Sequence, residues 1–359
     1  MTWWHIPVYL LDLSLMVYLS YLLGNLVDEL DRKTKISGAF IGGVLLAAVT
    51  SLPELFTALA SVFFVNEPEY VVGDILGSII FDIVVLAIET MMFMKSFRNA
   101  KIEKFHLING VICLLMYGFA AYAFFAPVDN QVMLGDINLM SVMIFALYIL
   151  SLFIQPKESD KKEIQEPDMG IEKKKGMAGW SVKKIWIVFA FCSVALIGSS
   201  IALTYLTKFL QNDFPVLTGS VAGALLLGIG TSIPEVISTF QLFRKKNFDA
   251  GFGNIIGSCT FDFAIFALAD FLSWRQWNNH INTETGNFII SERGLFIVSP
   301  DAIQFEIFGA IVCLSFILFV ALKLFTNLFS SPKQKKIAYT LTVSWALLCT
   351  VLYLLIFIL

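Results

Sequence analysis

Ten stretches of this chain are apolar over roughly 20 residues, the length an α-helix needs to cross the hydrocarbon core of a bilayer. They run 6–26, 37–64, 70–94, 106–126, 133–154, 185–207, 216–243, 249–272, 302–322 and 337–358. None shows the strict polar–apolar alternation of a barrel strand. In lipid every backbone N–H and C=O must be bonded inside the protein, so such a chain is read as an all-α membrane protein with ten transmembrane helices. Composition agrees: of 359 residues, 57% are hydrophobic and 15% charged, against about 45–50% and about 25% in soluble domains. That excludes a soluble globule and a disordered chain. The first stretch has no small-residue cleavage site after it and is read as a retained helix. The cysteines at 113, 192, 259, 313 and 349 lie inside apolar stretches without paired spacing, so they read as core residues.

Positive charge accumulates on the cytoplasmic side of membrane proteins, which turns the connections into a test of the helix count. Of the 25 Lys and Arg, all but Lys208, Arg275 and Arg293 fall in the odd-numbered connections. This places those connections in the cytoplasm and both termini outside. The connection 155–184 carries eight Lys and six acids, too polar to build a core, and reads as a solvated cytoplasmic linker. It divides the chain into a first half (1–154), the linker and a second half (185–359). The connection 273–300, with Trp274 and Trp277, reads as an extracellular loop with interfacial aromatics.

The halves repeat one another. Thr50-Ser51-Leu52-Pro53-Glu54 in the second stretch recurs as Thr231-Ser232-Ile233-Pro234-Glu235 in the seventh. In the third and eighth, Gly73-Asp74-Ile75-Leu76-Gly77-Ser78-Ile79-Ile80-Phe81-Asp82 recurs as Gly253-Asn254-Ile255-Ile256-Gly257-Ser258-Cys259-Thr260-Phe261-Asp262. An odd number of helices separates the copies, so they enter the membrane from opposite sides. The expected architecture is two inverted five-helix repeats with a shared site at the midplane.

Each ionised carboxylate at bilayer depth costs about 3 kcal/mol on insertion scales, so Glu54, Asp82, Glu235 and Asp262 together cost on the order of 10 kcal/mol. No Lys or Arg lies within the spans to offset them, which leaves bound cations or protons. Pro53 and Pro234 lack the amide that would bond the carbonyls of Val49 and Gly230, adding oxygens to the same places. A proline used only as a packing kink leaves unexplained why each directly precedes a glutamate. Thr50, Ser51 and Glu54 fall on neighbouring turns; Asp74, Ser78 and Asp82 share one helix face, as do Asn254, Ser258 and Asp262. The GxxxG pairs Gly73/Gly77 and Gly253/Gly257 permit close helix approach, expected to bring the third helix against the kink of the second. A donor set made wholly of oxygen suits hard cations such as Ca²⁺ and Na⁺ rather than zinc or copper. His5, His106 and His280 lie at or beyond span ends and are not central ligands. Cys259 reads as a packing residue or a contact to a soft metal.

These residues resemble the two alpha repeats (about 37–94 and 216–272) of the sodium/calcium exchanger family, within the cation/calcium antiporter superfamily. The family pattern is G-T-S-x-P-E on one helix and G-N-x-x-G-S-N-x-F-[ND] on the next. Gly230 through Glu235 match the first, and Gly253 through Asp262 match the second apart from Cys259. The resemblance implies a secondary antiporter, not an enzyme, exchanging Ca²⁺ for Na⁺ by alternating access in the plasma membrane of a prokaryote. Its partners are then the two ions and the bilayer, with no cofactor and no nucleic acid. It implies that Glu54 and Glu235 are the central carboxylates, with Thr50, Ser51, Ser78, Thr231, Ser232, Ser258 and Asp262 completing the sites. Departures gather in the first repeat: Val49 for Gly, Asp74 and Ile79 for Asn, and Asp82 where prokaryotic members often have Asn. The added acids leave proton coupling, K⁺ dependence and transport of Mn²⁺ or Mg²⁺ as the alternative. Two other classes of reading are an intramembrane aspartyl protease, which has no use for duplicated Ser, Pro and Glu, and a passive channel, whose flux would ignore a counter-ion gradient.

Overall fold

The computed structural model describes residues 4–33, 50–97, 100, 102–126, 130, 132–134, 137–154, 179–244, 246–277, 295–296, 300–327 and 332–356. The chain is a bundle of helices: α1 His5–Lys33, α2 Leu52–Val65, α3 Pro68–Met92, α4 Phe105–Phe125, α5 Leu139–Ile154, α6 Val182–Asp213, α7 Gly219–Arg244, α8 Phe248–Trp277, α9 Pro300–Asn327 and α10 Pro332–Ile356. Among the described residues, seven helices are long and apolar enough to cross a membrane, while α2, α5 and α10 contribute shorter apolar stretches. Val49, most of the linker and most of the 273–300 connection lie outside the described residues.

Several ends differ from the sequence reading. The stretch expected to span from 133 begins instead with a small antiparallel pairing of Met133–Leu134 with Ile137–Asn138. Asn138 Oδ1 then accepts the amide of Met140 at 2.9 Å, starting α5 at Leu139. Helix α8 continues to Trp277, so Trp274 and Trp277 belong to it and not to a loop. Lys208 and Lys323, placed in connections by their charge, also lie on helices. Lys208 reaches the Val65 carbonyl at 3.0 Å, and Lys323 reaches the Phe97 carbonyl at 3.1 Å. A long stem lets each head bond at a helix end while its Cα stays helical.

Packing follows the apolar faces. α1 lies along α6, α4 along α9, and α3 along α8; α4 meets α5 as α9 meets α10, and α5 meets α8 as α10 meets α3. Phe191 and Val194 of α6 and Phe153 of α5 point outward, an apolar exterior suited to lipid. At one end of the bundle Phe97 stacks on Phe252 (5.6 Å) and Phe319 (6.1 Å), and Phe319 stacks on Trp345 (4.0 Å), tying α8, α9 and α10 to the short helical turn Met94–Phe97 that follows α3.

The glycine expectation needs correction. Gly73 and Gly77 of α3 face α7, not the kink of α2: a Cβ at Gly73 would fall on the Ser220 carbonyl, and one at Gly77 would stand 2.6 Å from the Ala224 Cβ. From the other side, a Cβ at Gly223 would lie 2.6 Å from the Tyr70 carbonyl. The first half of α7, Gly-Ser-Val-Ala-Gly-Ala, is itself a run of small residues, so the two backbones meet directly.

Candidate cation site

The local backbone is irregular where the motifs lie. In α2 the helix starts at Leu52 with Pro53 in its first turn, where a missing amide is harmless, and turns π-helical over Ser61–Val65. Asn66 closes it in the left-handed conformation (φ 57°), turning the chain into α3 at Pro68. In α7 the π-helical segment Gly223–Gly228 precedes the motif, and Pro234 lies inside the helix. Such segments leave backbone oxygens without their α-helical partners. Hydroxyls answer two of them: Thr231 reaches the Leu227 carbonyl at 3.1 Å, and Tyr9 of α1 the Leu226 carbonyl at 2.6 Å.

The motif residues that the sequence scatters over two halves come together. The Ser51 hydroxyl lies 3.3 Å from Glu235 Oε1 and 3.2 Å from the Ser258 hydroxyl, and Thr50 also borders Glu235. Ser78 donates to the Gly228 carbonyl at 3.2 Å, and Ser232 stands beside Asp82. Glu54 is in electrostatic contact with Glu235, Asp74 and Asp82. Asp82 lies within electrostatic range of Asp262, and Asp262 within that of Glu54. All five carboxylates are at most 1% exposed. Helices α3, α7 and α8, together with α2 and the two residues just before it, supply every one of these groups.

Two positions behave differently from the rest. Asp74 is pinned by Thr57 at 2.6 Å and reached by Thr231 at 3.4 Å. Asn254, its counterpart, donates to Ser238 at 2.9 Å and Thr239 at 3.0 Å. Both side chains thus brace the helix before them. Thr57 and Ser238 were missed by sequence reasoning. They occupy equivalent places, three residues after each motif glutamate, so the repeat itself held the signal.

The remaining acids are poorly satisfied. Both oxygens of Glu54 and Asp262 and one of Glu235 (Oε2) have no hydrogen-bond partner among the described residues, and those of Asp82 have none of standard geometry although Ser232 adjoins. Buried carboxylates left this way are too costly to persist as bare charges, so the cluster calls for cations or protons. Among the described residues no three His, Cys, Asp or Glu side chains converge closely enough to hold a metal ion by themselves. An ion here would take hydroxyl and carbonyl oxygens beside the carboxylates, a mixed hard-donor shell suited to Na⁺ or Ca²⁺. The central ions need no imidazole: His106 is bonded to Asp249 at 2.8 Å and His5 to Asp213 at 2.6 Å, both near helix ends. Beyond the four acids first counted, the apolar stretches also bury Glu89, Asp270 and Glu306. Asp270 is held by Ser141 at 2.6 Å and the Leu295 amide at 2.9 Å.

Comparison with known proteins finds a matching family model and solved structures of the same fold. The family model described as sodium/calcium exchanger protein matches residues 4–157 and 184–359. The inner membrane protein YrbG of Escherichia coli (strain K12) is 24% identical over 264 residues, covering 71% of this chain and 76% of its own. Two solved structures share the fold at low identity. The H⁺/Ca²⁺ exchanger CAX has a TM-score of 0.60 and 13% identity, covering 99% of this chain and 89% of its own. The sodium-calcium exchanger NCX_Mj has a TM-score of 0.51 and 19% identity, covering 96% and 97%.

Proposed function

This chain belongs to the sodium/calcium exchanger protein family, and on that premise we propose that it exchanges Ca²⁺ for Na⁺ across the membrane by alternating access. The family is one of secondary transporters and not of enzymes, so the protease reading falls. The chain is a multi-pass integral membrane protein, and a cation/calcium antiporter at the level the family fixes.

The observation that carries the proposal is the burial of Glu54 and Glu235, one from each half, within electrostatic range of one another, with the Ser51 hydroxyl of the first motif copy 3.3 Å from Glu235 and the Ser258 hydroxyl of the second 3.2 Å from Ser51. In our reading Glu54 and Glu235 are the central ligands. Thr50, Ser51, Ser78, Asp82, Thr231, Ser232, Ser258 and Asp262 complete the shell, while Asp74 and Asn254 position it. Antiport follows from the energetics. With no basic side chain in the cluster, an outgoing cation leaves bare buried carboxylates behind, and the return step requires another cation to replace it. The α3–α7 contact is close, and in our reading an ion passes between these helices only when the two backbones part.

The proposed architecture is ten transmembrane helices in two inverted repeats, 1–154 and 185–359, joined by a cytoplasmic linker with both termini outside. The helix pairings support it, because exchanging each helix of one half for its counterpart in the other maps the pairs described above onto one another. Proton coupling is the second reading, favoured by the extra acids Asp74 and Asp82 of the first repeat. Reconstituted vesicles holding a gradient of Na⁺, K⁺ or pH alone separate these readings. Uptake of ⁴⁵Ca²⁺ driven by Na⁺ and not by pH supports the first, uptake driven by pH alone replaces it with the second, and uptake indifferent to every gradient points to a channel.

A further inference from the structure

Helices α4 and α9 cross where glycines bring them close. A Cβ at Gly110 of α4 would stand 3.1 Å from Phe316 and Ile317 of α9, and a Cβ at Gly309 of α9 would fall on the Tyr117 hydroxyl of α4. Gly110 therefore meets the later turn of α9 and Tyr117 the earlier one, so the helices run antiparallel. Midway between those contacts the register sets Cys113 opposite Cys313. The Cys313 thiol donates to the Gly110 carbonyl at 3.6 Å, one turn before Cys113 on α4. The two thiols also interact directly. Both are fully buried and both are free.

From this crossing we propose that Cys113 and Cys313 form an oxidisable pair, the site at which a small membrane-permeant two-electron oxidant joins the two halves of the protein by a disulfide. A disulfide needs Cα atoms about 4.4–6.8 Å apart, and a glycine-lined crossing is where helix backbones come that near. Two S–H bonds break and one S–S bond forms. Two electrons and two protons pass to the oxidant, reducing a peroxide to water or the N=N bond of a diazene to a hydrazine. Cys113 is the one cysteine of residues 1–154, so a disulfide between the halves must include it. Cys259 of α8 also borders Cys113 and is the competing partner. The pair does not depend on which ion the protein carries.

The test uses the full chain in membranes with a protease site inserted in the 155–184 linker. Membranes are treated with diamide, a diazene, then alkylated, cleaved and run on a non-reducing denaturing gel. The wild-type protein is expected to migrate as the whole 40.1 kDa chain and to split into two halves once reduced. Cys113→Ser and Cys313→Ser are expected to split without reduction, whereas Cys259→Ser stays joined. Separation of the wild-type halves after diamide overturns the proposal, as does a linkage that survives Cys313→Ser or is lost in Cys259→Ser.

Discussion

The hydroxyl of Ser51 lies 3.3 Å from Oε1 of Glu235, so a side chain of the first half completes the surroundings of the motif glutamate of the second. Neither copy of the motif is a site by itself. Each half presents a glutamate behind a proline, and the first half supplies a hydroxyl to the glutamate of the second.

Asp74 is braced within its own half. Thr57→Val leaves a buried carboxyl without its 2.6 Å partner, a loss worth about 1–3 kcal/mol. Thr57→Ser keeps the hydroxyl and is expected to stay near wild type. Thermal unfolding in detergent should rank wild type, Ser and Val in that order, and equal melting of Ser and Val would show that the contact does not brace α2 against α3.

The α3–α7 contact leaves no room for a side chain. Gly73→Ala and Gly77→Ala are each expected to destabilise the protein by about 1–3 kcal/mol through overpacking. Gly118→Ala, whose Cβ would meet nothing within 4 Å, is expected to be neutral. Detergent melting curves read the difference; indifference at Gly73 and Gly77 would mean the two backbones are not in contact.

Buried acids without basic partners make exchange sensitive to pH. Protons compete with cations for the cluster, so Ca²⁺ flux is expected to fall as the medium is acidified. Asp82→Asn keeps the shape and one carbonyl oxygen but removes a titrating group beside Asp262. Under sodium coupling this variant retains flux with weaker acid inhibition; under proton coupling it loses pH-driven flux. A flux and pH profile both identical to wild type would place Asp82 outside the transport path.

The proposed orientation is checked at two exposed positions. In a background with the five native cysteines replaced by serine, Glu103→Cys between α3 and α4 should react with a membrane-impermeant thiol reagent only from the cytoplasm. Val216→Cys between α6 and α7, 84% exposed, should react only from outside. Labelling of both from one side would break the inverted arrangement.

Much of the site was legible because its chemistry is costly in lipid. A carboxylate, a proline and adjacent hydroxyls stand out in an apolar stretch, and their recurrence at a fixed offset names the partners. The braces were harder to read. Thr57 and Ser238 look like ordinary helix hydroxyls until Asp74 and Asn254 are seen against them. The partner of Gly73 and Gly77 could not be chosen from spacing alone, since a small-residue face states that a helix can come close but not which one. Glu89 and Asp270 follow the motif acids in the same apolar runs but lie outside the repeated motif, and Glu306 sits alone in its run, so no recurring pattern marks them. Short connections are the least legible of all, as the strand pair before Leu139 makes clear: strands of two residues carry no periodicity to set them apart from the helix they precede.

The central claim is that Glu54 and Glu235 hold the exchanged cations together. Its most direct measurement is sodium-gradient-driven ⁴⁵Ca²⁺ exchange by Glu54→Gln and Glu235→Gln, reconstituted at equal amounts after each is shown to insert and to elute as a folded species. Changes in the shell behind metal ligands typically cost about 10–100-fold, so loss of either ligand is expected to lower exchange by at least about 100-fold. Near-wild-type Ca²⁺ flux in either variant would contradict the account.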